Sequence, residues 1–258
     1  MGQNLRILTI NLCDEFSGKK TLLLNKWVFI LSKIKADILF LQEVTSYNID
    51  SLSTSLGLKI LNMNTSEATC VLVNPNKVTI LDKNLVKLIH SRKAPIYIAN
   101  LHLDDIPSVP HHMNCVTYKS SKTIPISSTK HQILKLCAER RLPKLKQELV
   151  KAKKYTRSII AGDFNEPSHL DLDDVNVPVS KFLEKNGFID TFWYANPNID
   201  KEEGHTWPAG SLYKKEPGQR IDMIYTKNMK IINSISYDGP KLNKWISDHK
   251  MVITDVEI

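Results

Sequence analysis

The chain is punctuated by short apolar runs that stop abruptly at polar residues, and this pattern limits the fold more than any other feature. Its clearest instance is Ser158 to Pro167, SIIAGDFNEP. The run drives to a glycine, an aspartate and an asparagine follow two residues apart, and a proline closes the segment. This reads as a buried strand that ends sharply. In an extended chain, positions i and i+2 point to one side, so Asp163 and Asn165 are expected to serve one site.

The pattern recurs along the chain. Leu5 to Ile10 runs into Asn11, Asp37 to Leu41 into Gln42 and Glu43, and Pro95 to Leu101 into His102. Thr69 to Val73 and Val78 to Leu81 read as strands joined by the Asn74-Pro75-Asn76 turn. Gln219 to Thr226 carries Asp222 inside it. Ile231 to Tyr237 reads as a further strand, and Ser247-Asp248-His249 precedes a closing strand from Met251 to Val256. Helical spacing appears over 19–35, with Leu23, Trp27, Ile30, Leu31 and Ile34 on one face. It returns over 49–56, ending at Gly57, and over 178–186, capped by Gly187. Residues 131–153 form a basic helix that Pro143 is expected to break or kink. Asp104 to Thr129 reads as a long surface loop with a Ser/Thr/Lys-rich tract and a solvated His111-His112 pair. No linker or repeat divides residues 1–258, so a single domain is expected. Strands with interspersed helices indicate an α/β or α+β fold built on sheets.

Charge narrows the partners. A formal net charge of +8 favours polyanions, nucleic acid or an anionic lipid surface. The four cysteines are scattered without a CxxC pair, which argues against a zinc knuckle or a disulfide framework and suits a reducing compartment. No stretch is long and apolar enough to span a membrane. The N-terminus lacks the layout of a signal peptide, and Arg6 stands where a myristoylation motif needs Ser or Thr. An intracellular monomer is expected.

The polar residues at the ends of apolar runs form a candidate site: Asn11, Glu43, His102, Asp163, Asn165, Asp222, Asp248 and His249. Carboxylates with an amide oxygen make a hard-oxygen site suited to Mg²⁺, with Mn²⁺ as an alternative. A histidine beside a carboxylate serves as acid or base, or holds a phosphate oxygen when charged. There is no GxSxG elbow and no P-loop, so neither an acyl-serine enzyme nor an NTPase is expected. Metal, activated water and cationic groups together indicate phosphoester hydrolysis. Trp207, in the GHTWPAG loop, reads either as a platform for a base or sugar or as a loop anchor. Arg220 reads as a phosphate ligand or as a partner for a carboxylate. The lysines of 144–154 read as a phosphate track or a solvated helix face.

These residues resemble the endonuclease/exonuclease/phosphatase superfamily, the DNase I-like proteins. The matching pieces, in the family's order, are ILTINL (7–12), LQEV (41–44), NLHLD (100–104), AGDFNEPSHLD (161–171), TWPAG (206–210), QRIDMIY (219–225) and SDHKMV (247–252). The resemblance implies a four-layer α/β/β/α sandwich, two packed mixed sheets flanked by helices. It implies Glu43 as the principal metal ligand with Asn11 and Asp248 nearby. Asp163 activates the attacking water or serves the leaving group, Asn165 holds a phosphate oxygen, and His102 contacts the phosphate. His249 is expected to bond Asp222. Whether Asp163 or His249 takes the water's proton stays open. Cys13 departs from the aspartate that many nuclease members carry there, which puts a second metal in question. The expectation is a Mg²⁺-dependent phosphodiesterase acting on DNA or RNA. The alternatives are a phosphatase or phospholipase-C-like enzyme on inositol phosphates or sphingolipids, or a non-catalytic binding module.

Overall fold

In the computed structural model the residues described are 2–13, 20–45, 47–115, 124–125, 127–209, 216–239 and 245–258. In chain order the elements are β1 (Asn4–Asn11), α1 (Lys20–Ile34), β2 (Ile38–Gln42), α2 (Ile49–Leu56), β3 (Lys59–Asn64), β4 (Thr69–Val73), β5 (Val78–Asp82), β6 (Leu85–Leu88), β7 (Ile96–His102), α3 (Val109–Met113), α4 (Lys130–Ala152), β8 (Arg157–Asp163), α5 (Pro178–Lys185), β9 (Ile189–Asp190), α6 (Thr191–Ala195), β10 (Asp222–Lys227), β11 (Lys230–Tyr237) and β12 (Met251–Glu257).

The strands form two six-stranded mixed sheets, β11-β12-β1-β2-β4-β3 and β5-β6-β7-β8-β10-β9. β2 and β4 are buried along their whole length, and β8 nearly so, because each is covered on both faces. Between the sheets lie Ile7, Phe40, Val71, Ile98, Ile159 and Val252. On the outer face of the first sheet, α1 packs Trp27, Ile30, Leu31 and Ile34 against Leu8, Leu39 and Leu41. On the outer face of the second, α4 sets Leu145, Leu149 and Ala152 against Tyr97, Ala99 and Ile160. The expected four-layer sandwich is therefore what forms.

Two parallel pairs, β1 with β2 and β7 with β8, sit at the centres of their sheets. Parallel strands end together, so the residues closing all four runs arrive at one rim. Asn100 of β7 ties the sheets just below that rim. Its side-chain amide donates to the carbonyls of Leu41 (3.0 Å) and Cys70 (2.9 Å), and its oxygen accepts from Gln42 Nε2 (2.7 Å).

The Asn74–Asn76 turn joins β4 and β5 as expected, and it carries the chain from one sheet to the other. Several expectations are corrected. β3, β6 and β9 escape the pattern because as partly covered or very short strands they have no continuous apolar run. α4 runs through Pro143 without a break. Its buried face of Cys137, Arg141, Leu145 and Leu149 holds the helix across the missing donor. The segment from Asp104 to Thr129 contains α3, and His111 within it is fully buried rather than solvated. Most of its Ser/Thr/Lys tract, and Gly210 of the aromatic loop, lie outside the described residues.

Candidate active site

Register places the site. His102 is paired with Asp163, and Asp163 with Asp222, so three polar residues lie in a row across β7, β8 and β10. Asn11 and Gln42 are paired on the facing sheet. The chain turns sharply after these strands: Cys13 (φ 61°), Glu43 (φ 52°) and Asn165 (φ 48°) are all left-handed. Non-glycine residues there are uncommon and concentrate at functional sites. Gly162 has φ 140°, and a Cβ added to it would lie 1.9 Å from the Leu101 carbonyl oxygen. Only glycine lets β8 pass β7 this closely while delivering Asp163.

Asp163 Oδ2 is the centre of the arrangement. It accepts from Asn11 Nδ2 at 3.1 Å and lies 3.9 Å from both His102 Nε2 and His249 Nε2. Its Oδ1 accepts the Asn165 backbone N–H at 2.8 Å. Glu43 Oε1 lies 2.9 Å from Asn11 Nδ2 and 3.9 Å from His102 Nε2, so the two carboxylates share the same neighbours. His249 Nδ1 is 2.8 Å from Asp222 Oδ2. A cavity of about 770 Å³ opens over Glu43, His102, Asp163, Asp248 and His249.

The electrostatics follow from burial and pairing. Burial opposes the charge on His249, but Asp222, Asp163 and Asp248 outweigh it and raise its pKa to about 10. Burial raises the Asp163 carboxyl to about 6, with Asp222 adding to the rise and His249, His102 and the Asn165 N–H opposing it. Asp222 Oδ1 is buried and has no hydrogen-bond partner among the described residues, and His249 bonds the other oxygen of this carboxylate.

Other expected site residues are placed differently. Asn11 offers its N–H₂ end, not its oxygen, to Glu43 and Asp163. Its Oδ1 is captured by the Cys13 backbone N–H at 3.0 Å, which argues against Asn11 as a metal ligand. The Asn165 side chain lines the cavity but donates to the Leu103 carbonyl at 2.9 Å. Trp207 is largely buried, its indole N–H donates to Asp248 Oδ2 at 3.1 Å, and it lines the cavity. Arg220, read as a phosphate ligand or as a partner for a carboxylate, does not line this cavity and pairs with carboxylates. It is buried in a fork to Asp190 (3.1 and 2.7 Å) and a bond to Asp171 (3.0 Å), so its donors are turned away from the site. Lys144 is held at the edge by Glu67 (2.8 Å) and the His102 carbonyl (2.9 Å), and Lys151 by Glu148 (2.7 Å).

Supporting residues also escape a reading of strand ends. Ser247 Oγ donates to the Asn11 carbonyl (2.8 Å) and accepts the His249 N–H (3.0 Å), joining the first motif to the last. Thr206 Oγ1 accepts the backbone N–H groups of Ile221 and Asp222, both at 3.1 Å, and so sets the entry of β10. Both lie in the quoted motifs, but their hydroxyls carry no signal of their own.

The sequence profile described as the Endonuclease/Exonuclease/phosphatase family matches residues 30–249. The chain belongs to that family. This makes it a member of a group of phosphoester hydrolases. A curated Caenorhabditis elegans relative, "Uncharacterized protein F14F9.5", is 32% identical, the match covering 37% of this chain and only 39% of that protein. Among solved structures, humanized D. rerio TDP2 superposes with a TM-score of 0.65 at 15% identity, covering 99% of each chain. D. rerio TDP2 complexed with single-strand DNA product gives a TM-score of 0.61 at 14% identity, covering 99% of this chain and 100% of that one. At these identities the likeness is one of fold.

The carboxylates of the cavity suit a divalent cation. Glu43, Asp163 and Asp248 line one cavity and offer hard carboxylate oxygens, as Mg²⁺ or Mn²⁺ requires. Possible ligand atoms of Asp163, Asp222 and His249 also lie within 4.8 Å of one another. In that trio the His249–Asp222 contact has hydrogen-bond length and the imidazole is held charged, so it suits a proton better than a metal.

Proposed function

We propose that this protein is a Mg²⁺-dependent phosphodiesterase that hydrolyses nucleic acid by attack of water. The carrying observation is the convergence of Asn11, His102 and His249 on Asp163 Oδ2, beside Glu43. In this reading Glu43 and Asp248 hold the cation, which when bound supplies charge neutralisation at the phosphate. Asp163 Oδ2 takes the proton of the attacking water, a role suited to a carboxyl raised to about 6. His249, charged by Asp222, directs Nε2–H at a phosphoryl oxygen, and His102 does the same from β7. Asn165 and Asn11 fix the Asp163 carboxylate through their N–H groups.

Two observations support nucleic acid as the substrate. The chain carries a net charge of +8. The D. rerio TDP2 of similar fold is complexed with a single-strand DNA product. An inositol polyphosphate fits less well, because none of the described cavity-lining residues is Lys or Arg. Such a ligand would bring several phosphates against Glu67, Asp104 and Asp105.

The test is hydrolysis of a single-stranded oligonucleotide and of bis(p-nitrophenyl) phosphate against Mg²⁺ concentration. Expected are no turnover in EDTA and losses of about a thousandfold in Glu43→Gln and His249→Gln. Full turnover in EDTA, or an unimpaired Glu43→Gln protein, would remove the metal mechanism. Cleavage of the small diester but not the oligonucleotide would overturn the substrate alone.

A further inference from the structure

His111 is a fully buried titratable group that the phosphoryl chemistry leaves unused. Both its ring nitrogens are engaged. Nε2 lies 2.7 Å from Glu216 Oε2, Nδ1 lies 2.6 Å from Ser108 Oγ, and Gln219 Nε2 approaches Nδ1 at 3.5 Å. Ser108, Glu216 and Gln219 line the same cavity as Asp163 and His249. Trp207, which also lines it, has its ring centroid 6.0 Å from that of His111.

The chain of contacts has a direction. A carboxylate can only accept, so the hydrogen between His111 and Glu216 is on Nε2. Nδ1 faces the N–H₂ of Gln219, so it presents its lone pair. Burial lowers the pKa of the ring, against the opposing pull of Glu216 and with His112 adding to the fall. The Ser108 hydroxyl proton is then committed to Nδ1, and the oxygen of this cavity-lining residue keeps its capacity as an acceptor. Ser108 stands at the N-cap of α3, yet its hydroxyl makes no capping bond there. The surrounding wall agrees in sign: Glu67, Asp104, Asp105 and Glu216 line the cavity, and no Lys or Arg does so among the described residues.

We infer that Ser108, with His111 and Glu216 behind it, forms a subsite in the cleft wall that accepts a hydrogen bond from the alcohol portion of the phosphodiester. The subsite takes a hydroxyl- or amino-bearing group on the alcohol side of the scissile phosphate. Ser108 is the binding group, while His111 and Glu216 position it by holding its proton. This rests on the phosphodiesterase reading of the same cavity.

The experiment uses two p-nitrophenyl phosphodiesters, one of 1-butanol and one of 1,4-butanediol, and their non-hydrolysable methylphosphonate counterparts for calorimetric binding with Mg²⁺ present. The wild-type protein should favour the hydroxyl-bearing member of each pair by up to about tenfold, in kcat/KM and in binding. Ser108→Ala should lose that preference and Ser108→Thr, which restores a hydroxyl, should keep it. Equal treatment of the two alcohols by the wild-type protein overturns the subsite. So does a preference that survives in Ser108→Ala. If neither ester is turned over but the phosphonates are discriminated through Ser108, the hydrolase reading fails and the subsite stands.

Discussion

Arg220 and Asp222 lie two residues apart, both are fully buried, and both carry charge, but they serve different ends. Arg220 is closed in by Asp190 and Asp171, which accept from its Nε, Nη1 and Nη2. Among the described residues the Asp222 side chain bonds His249, whose other nitrogen lies 3.9 Å from Asp163 at the cavity floor. A buried charge held between two carboxylates is architecture, whereas a buried charge paired to a group that opens on a cavity is available for chemistry. The strand explains the divergence: β10 begins at Asp222, so the two-residue alternation that would aim Arg220 the same way does not yet apply.

The largest expected effect tests the closed cluster. Arg220→Met strands two carboxylates and should cost about 3–5 kcal/mol in a urea unfolding series. Activity per folded molecule should persist. Lost activity at unchanged stability would show that Arg220 reaches substrate after all. The reverse pattern is expected for Asp222→Asn, which leaves the imidazole without its charge-holding partner. Its kcat should fall about 10²–10³-fold, with little change in melting temperature. A protein that unfolds but stays active when folded would erase the distinction between the clusters.

Gly162→Ala sharpens the comparison at the strand that delivers Asp163. The left-handed φ and the clash with the Leu101 carbonyl should cost about 1–3 kcal/mol and depress activity in the same variant. A variant of wild-type stability and activity would mean that β7 and β8 tolerate separation. The smallest effect is in pH. The folded pKa of His249 is raised to about 10, so its contribution is fully present below pH 6.5 and is lost as pH rises through 10. Asp163, raised to about 6, has already lost its own contribution below neutrality. Without metal, the stability of the wild-type protein should therefore fall more steeply between pH 7 and pH 10.5 than that of His249→Gln. Parallel curves would mean that His249 is neutral in the folded protein.

The polar residues at strand ends were legible because their neighbours are a run of apolar residues with nothing polar to confuse it. SIIAGD and ILFLQE could hardly be anything but covered strands, and so Asp163 and Glu43 stood out. The cleft wall was not legible. Ser108, His111 and Glu216 come from loops and a short helix, 105 residues separating the two ends of the His111–Glu216 bond. The adjacent histidines suggested a solvated pair, and nothing local distinguishes the buried one from its neighbour. Arg220 was ambiguous for a related reason, since its partners Asp171 and Asp190 lie 49 and 30 residues away.

Sequence by itself determined a fold of sheets with interspersed helices, because burial on two faces and chain reversal are short-range demands that each segment states alone, while the family and its layered sandwich were carried by the resemblance of the motifs. Tertiary structure decided the direction of Asn11's amide, the closure around Arg220 and the acceptor character of Ser108. Each of these depends on which donor meets which acceptor across the fold, and a hydrogen-bond partner is chosen by proximity in space.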